Sequence, residues 1–156
     1  MKLEREMVMK LLIQTGVFAL ILLSASIQAQ EMEKLGPPLN LEKRQPDVSM
    51  TVTSVNLGRE ESTIAAEADM QAYGHVYATY YFTYDQDRKG GEVHVQGRGA
   101  TESGIMSGEG QGYWELTGST ITMRFVAKIS DGTINYDVVT FVPHTREMIH
   151  RVYVLK

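Results

Sequence analysis

The sequence predicts an all-β fold: an antiparallel β-barrel of about seven to eight strands, with a β-sandwich as the alternative. Three observations predict it. From Val48 onward, short segments alternate apolar and polar residues with a period of two, the mark of half-buried strands. Clusters of turn formers separate these segments, Asp131-Gly132 being the strongest hairpin signal. No helical pattern is long enough to carry a parallel crossover. The barrel is preferred because Gly97, Gly99, Gly108, Gly110 and Gly112 fall on two neighbouring strands. Interior glycines mark bends and close backbone approaches, which a small closing sheet needs at its corners.

The elements follow in order. Lys2, Arg5 and Lys10 form a positive flank, Leu11 to Leu23 a largely apolar stretch, and Ser24 to Ala29 a small-residue exit. These are the three parts of a secretory signal, with cleavage expected after Ala29 and export to the periplasm or the medium. The apolar stretch is too short for a hydrocarbon core of ~30 Å, which takes about 20 residues, so no stable membrane anchor is expected after cleavage. Residues 30–47 are charged and broken by Pro37-Pro38, and read as a flexible lead-in to a domain over residues 48–156. Val48, Met50 and Val52 share one face of a first strand. Residues 60–72 hold the only real helix propensity after the signal, and fit either a short helix or a loop or irregular strand. Gly74 to Tyr84 is a strand with Val76, Ala78, Tyr80, Phe82 and Tyr84 on one side. DQDRKGG then forms a hairpin loop. Further strands are expected over residues 92–101, 107–116, 121–129, 133–142 and 148–155. In the third of these Ile121, Met123, Phe125, Ala127 and Ile129 share a face.

Composition removes several functions. There is no cysteine, which excludes thiol catalysis, cysteine-ligated metals, a lipoprotein anchor and disulfides, so the core alone must hold the fold. The formal charge is −4, and it deepens once the signal, with three basic and two acidic residues, is removed. With no basic run, nothing favours nucleic acid.

No motif names a reaction. GEGQG at residues 108–112 resembles a phosphate loop, but the strand and turn YWELTGSTITMRF follow it. Phosphate loops need a helix N-terminus there, so these glycines are read as allowing sheet curvature. His75, His94, His144 and His150 form no paired metal-binding spacing, so no metal and no cofactor is expected. No serine lies in a G-x-S-x-G turn. Glu109, Glu115 and Arg124 sit inside strands. Alternation turns Glu115 and Arg124 outward, whereas the glycines flanking Glu109 leave its direction open. Tyrosines crowd the 74–84 strand on both faces, which fits plain packing or the wall of a pocket.

The run YGHVYATYYFTYD, a glycine-bounded hairpin, GRGATESG and then GEGQGYWELTGSTITMRF resemble small calycin-type proteins. Within that group they are most like the allene-oxide-cyclase-like barrels. The resemblance implies a closed eight-stranded barrel whose apolar cavity holds or transforms a small hydrophobic molecule. The plant cyclases use a buried glutamate and a bound water, and no glutamate here carries a matching motif. The expected function is therefore binding of a small apolar ligand in a central cavity lined by Tyr80, Trp114, Met123 and Tyr136. One alternative is a cofactor-free isomerase or cyclase, which needs an inward carboxylate, with Glu109 the first candidate. The other is a protein-interaction module, which needs an apolar patch or an open sheet edge.

Overall fold

The computed structural model describes residues 38–156; the expected signal segment and the Ala29 cleavage point lie outside them. Period-two patterning produces nine strands: β1 (Leu41–Lys43), β2 (Val48–Asn56), β3 (Glu61–Asp69), β4 (His75–Thr83), β5 (Gly90–Thr101), β6 (Gly104–Thr117), β7 (Thr120–Ile129), β8 (Ile134–Val142) and β9 (Glu147–Leu155). Each of β2 to β8 pairs antiparallel with its successor in the chain, and β9 returns to pair with β2. This closes an eight-stranded up-and-down barrel, an architecture whose interior is just wide enough to be filled by side chains or to hold one small ligand.

β1 is an extension of β2. It pairs with Tyr153–Leu155 at one end of β9, while Val48–Met50 of β2 pairs with Met148–His150. Residues 40–45 of the expected lead-in are therefore tied to the wall. Arg44 donates its backbone N–H to Val152, and Gln45 is buried.

Residues 60–72 are not helical. Glu61–Asp69 is a regular strand, followed by a 3₁₀ turn over Gln71–Tyr73. The period of two is present but disguised by alanine: Ser62, Ile64, Ala66 and Ala68 are buried, and Ala66 pairs with Ala78 of β4. Two flanking strands offering ladder hydrogen bonds outweigh a weak local preference for helix.

The glycines sit where β5 pairs with β6, with Gly97 opposite Gly108, Val95 opposite Gly110 and Val93 opposite Gly112. A Cβ on Gly112 would lie 2.0 Å from the Arg124 carbonyl oxygen. β6 coils over β7 there more closely than any side chain allows.

The core is the barrel interior. Tyr80, Val93, Met123, Val139 and Met148 have no exposed surface and form its packed middle. Burying each is worth roughly 1.5–3 kcal/mol. The 57–60, 84–89, 118–119 and 143–146 turns gather at one end, the rim; the 44–47, 70–74, 102–103 and 130–133 turns gather at the other, the base.

Candidate functional site

The packed middle divides the interior into two hollows that share no lining residue.

The rim hollow exists because the β2–β9 seam parts there. Their pairing stops at Met50, and a register shift between Val52 and Ser54 bends β2 toward β3. Bulges of this kind turn a strand end away from its neighbour. Arg146, with φ of 62°, reaches into the gap and donates to the Val52 carbonyl at 3.0 Å. The space left is about 640 Å³, walled by Ile64, Phe82, Trp114, Ile121 and Phe141, with Val55 and Leu57 at the opening. Trp114 is locked in position. Its indole N–H donates to the Thr83 carbonyl at 2.8 Å, and Phe82 and Tyr84 each meet it edge-on at 5.8 Å. Ser62 holds the Tyr84 hydroxyl and accepts the Gly58 N–H, and Arg88 stacks on the Tyr84 ring at 3.9 Å.

The base hollow is narrower, about 70 Å³, and Gly97, Gly99, Gly108 and Gly110 make up much of its β5–β6 wall. With no side chains at those four positions, a chamber remains in front of Asn135, Asp137 and His150. All three are buried. His150 Nε2 lies 3.5 Å from Asp137 Oδ2, an ion-pair distance that makes no hydrogen bond. Six buried side-chain atoms among the described residues have no hydrogen-bond partner, and four of them are here: Asn135 Oδ1, Asp137 Oδ1 and both ring nitrogens of His150. The Asn135 amide donates to the Tyr73 hydroxyl at 2.8 Å. Burial pushes that hydroxyl up from the ordinary tyrosine range, and the Asn135 hydrogen bond opposes the shift.

The residues singled out from the sequence are scattered by this arrangement. Tyr80 is fully buried in the wall of the base chamber, where its hydroxyl donates to Met50 Sδ at 3.3 Å. Burial drives the hydroxyl far above its usual range, and the Asp137 charge adds to the shift. Trp114 walls the rim hollow, and Met123 belongs to the packed middle and lines neither hollow. Tyr136 faces outward: it pairs with Val126 and Tyr153 on the outer surface, while Asn135, Asp137, Val139 and Phe141 take the inward positions. Glu109 also faces outward, its carboxylate exposed and 2.9 Å from His94 Nε2. The flanking glycines do not break the alternation. Glu115 and Arg124 pair on the outer face at 2.6 Å, as their alternation implies.

Among the described residues the buried carboxylate is Asp137, which the sequence did not single out, and its place beside His150 was not legible there. In INYDVVTFV the more apolar set, Ile134, Tyr136 and Val138, faces solvent, so hydrophobicity selects the wrong phase for that half of β8. The signal lay in the other half, where Val139 and Phe141 set the inward phase. Counting back from them by twos reaches Asp137 and Asn135. Among the described residues, no group of three or more His, Asp or Glu side chains is placed to hold a metal ion.

The architecture is that of a small, calycin-like barrel. Compared with protein-family models, with curated proteins and with solved structures, the chain matches none.

Proposed function

We propose that the chain is an exported β-barrel protein that binds a small hydrophobic ligand, and that the ligand occupies the rim hollow. The observation that carries this reading is an apolar space of about 640 Å³ around an immobilised Trp114. Small-molecule sites have volumes of about 300–1,000 Å³, are lined by apolar and aromatic groups with a few polar ones, and often lie in the mouths of β-barrels. Ser62 and Arg146 are the polar groups at hand to orient a ligand. The apolar collar at Val55 and Leu57, exposed by 41% and 84%, suits a ligand that enters from water. The outer face carries Glu92, Arg98, Glu109, Arg124 and Lys128, all exposed. That charge pattern is the inverse of a lipid-facing barrel and supports a barrel surrounded by water.

Binding is preferred to an isomerase because the inward carboxylate, Asp137, lies on the far side of the packed middle from the hollow large enough for a substrate. Trp114 is the only tryptophan, so its emission reports the rim alone. Titration with the neutral apolar probe N-phenyl-1-naphthylamine is expected to quench it saturably at micromolar concentration. Ile121→Glu, which places a charge in the hollow, should weaken the effect at least tenfold without altering the far-ultraviolet circular dichroism. Absence of a saturable change in the wild-type protein would refute the reading. Export is checked separately, by mass spectrometry of the secreted or periplasmic chain, which should begin at Gln30.

A further inference from the structure

We propose that the base chamber is a second ligand site, independent of the rim hollow, and that it takes the ammonium group of a small primary amine.

Buried polar groups in native proteins are nearly always paired, and an unpaired one costs about as much as a lost hydrogen bond. Here Asn135 Oδ1 and Asp137 Oδ1 both need a donor, and neither oxygen can donate to the other when Asp137 is ionised. Neutral His150 has one nitrogen that accepts, and neither ring nitrogen has a partner. A primary ammonium carries three N–H donors, one for each of these acceptors.

Charge selects the ammonium over a neutral donor. A buried carboxylate is costly unless a cation compensates it, and His150 stands 3.5 Å away without a hydrogen bond. The other cations near the base are engaged elsewhere. Arg98 borders the chamber, but it is exposed and its guanidinium turns back to donate to the Gly97 carbonyl at 2.9 Å. Arg44 stacks over the Tyr73 ring at 4.8 Å and pairs with Asp131 at 3.2 Å.

Size limits the amine. A chamber of about 70 Å³ exceeds the ~10–15 Å³ that one water requires and has room for an amine of only a few heavy atoms. The rest of the lining is mainly apolar, with Val76, Ala78, Val95, Phe125, Ala127 and Val152, which suits one or two methylene groups behind the nitrogen. The best binding per atom known for very small ligands puts a probe of three heavy atoms in the millimolar range.

The experiment follows the His150 ring and Asn135 side-chain resonances by NMR in the full chain during titration with ethylammonium chloride. Ethanol, sodium acetate and potassium chloride at matched concentrations separate the neutral isostere, the anion and plain ionic strength. The expected result is a saturable shift with a millimolar midpoint for ethylammonium alone, with Trp114 emission unchanged. Asp137→Asn should weaken it at least tenfold, and Glu109→Gln, altering an exposed carboxylate, should leave it intact. Gly97→Ala supplies a variant that keeps the charge. Its new methyl would meet nothing closer than the Tyr77 carbonyl oxygen at 3.8 Å, and it narrows the chamber, so ethylammonium should lose more affinity than methylammonium. An equal response to ethanol or acetate, a response that never saturates, or binding unaffected by either variant would overturn the proposal and leave bound water as the partner of these groups. Because the readout is His150 and not Trp114, failure here leaves the rim reading standing, and the converse also holds.

Discussion

Gly112 and Gly97 lie on paired strands, yet a methyl group added to each would meet opposite surroundings. At Gly112 the new Cβ would collide with backbone, 2.0 Å from the Arg124 carbonyl oxygen and 2.6 Å from the Phe125 Cα, neither of which can swing aside. At Gly97 nothing lies within 3.7 Å. Gly112→Ala should therefore cost about 2–3 kcal/mol by forcing β6 and β7 apart. Gly97→Ala should change stability by less than about 1 kcal/mol, since losing glycine's unfolded-state freedom offsets any small contact penalty. Urea unfolding of the two variants side by side checks this, and similar midpoints would contradict it. Both glycines were legible as strand glycines before the fold was known. Which one meets a neighbouring backbone was not, because that contact comes from the strand alongside and not from the residue's own segment.

At the scale of the element, the β7–β8 hairpin at the base is tied to the β1–β2 link. Asp131 accepts both the Thr133 hydroxyl at 2.6 Å and the Thr133 N–H at 2.9 Å, and pairs with Arg44 from the β1–β2 link. The Thr133 hydrogen bonds, with Arg44 adding to them, hold its carboxyl below the ordinary aspartate value of 3.8. A carboxylate depressed in the folded state stabilises the fold above its unfolded value, and that contribution disappears as pH falls through the folded value. Asp131→Asn keeps the shape and removes the charge. The wild-type protein should be the more stable at neutral pH, and its advantage should shrink as pH falls below 3.8. Thermal melts of both proteins across that range test the sign; an advantage that grew on acidification would contradict it. The hairpin itself was plain from Asp131-Gly132. That Arg44 reaches it was not, since the two residues lie 87 positions apart.

For the whole molecule, the decisive feature is the packed middle. Met123 has no exposed surface and pairs with Trp114 on one side and Val139 on the other. It separates the two hollows instead of lining either. Met123→Ala should cost about 2–5 kcal/mol, the usual penalty for such a void in a core. Trp114 fluorescence during urea unfolding measures it, and a loss under 1 kcal/mol would show that the middle is not tightly packed. The same layer explains why one central cavity was expected and two hollows were found. Alternation marks Tyr80, Trp114 and Met123 as inward, but not their heights along the barrel axis. Height depends on the stagger between strands, which no single strand's pattern contains.

The amino-acid pattern by itself determined the all-β class, nearly every strand, and which residues of β4 and β7 share a face. Period-two burial is a local property, written along each segment. Tertiary structure decided the rest: the strand over Glu61–Asp69, the docking of Leu41–Lys43 on β9, the outward turn of Glu109 and Tyr136, and the meeting of Asn135, Asp137 and His150 around a glycine-walled chamber. Each of these depends on what a neighbouring strand presents across the sheet or the barrel. Where polar residues take inward positions, as on β8, hydrophobicity along the chain misleads, and only the closed ring of strands sets the phase.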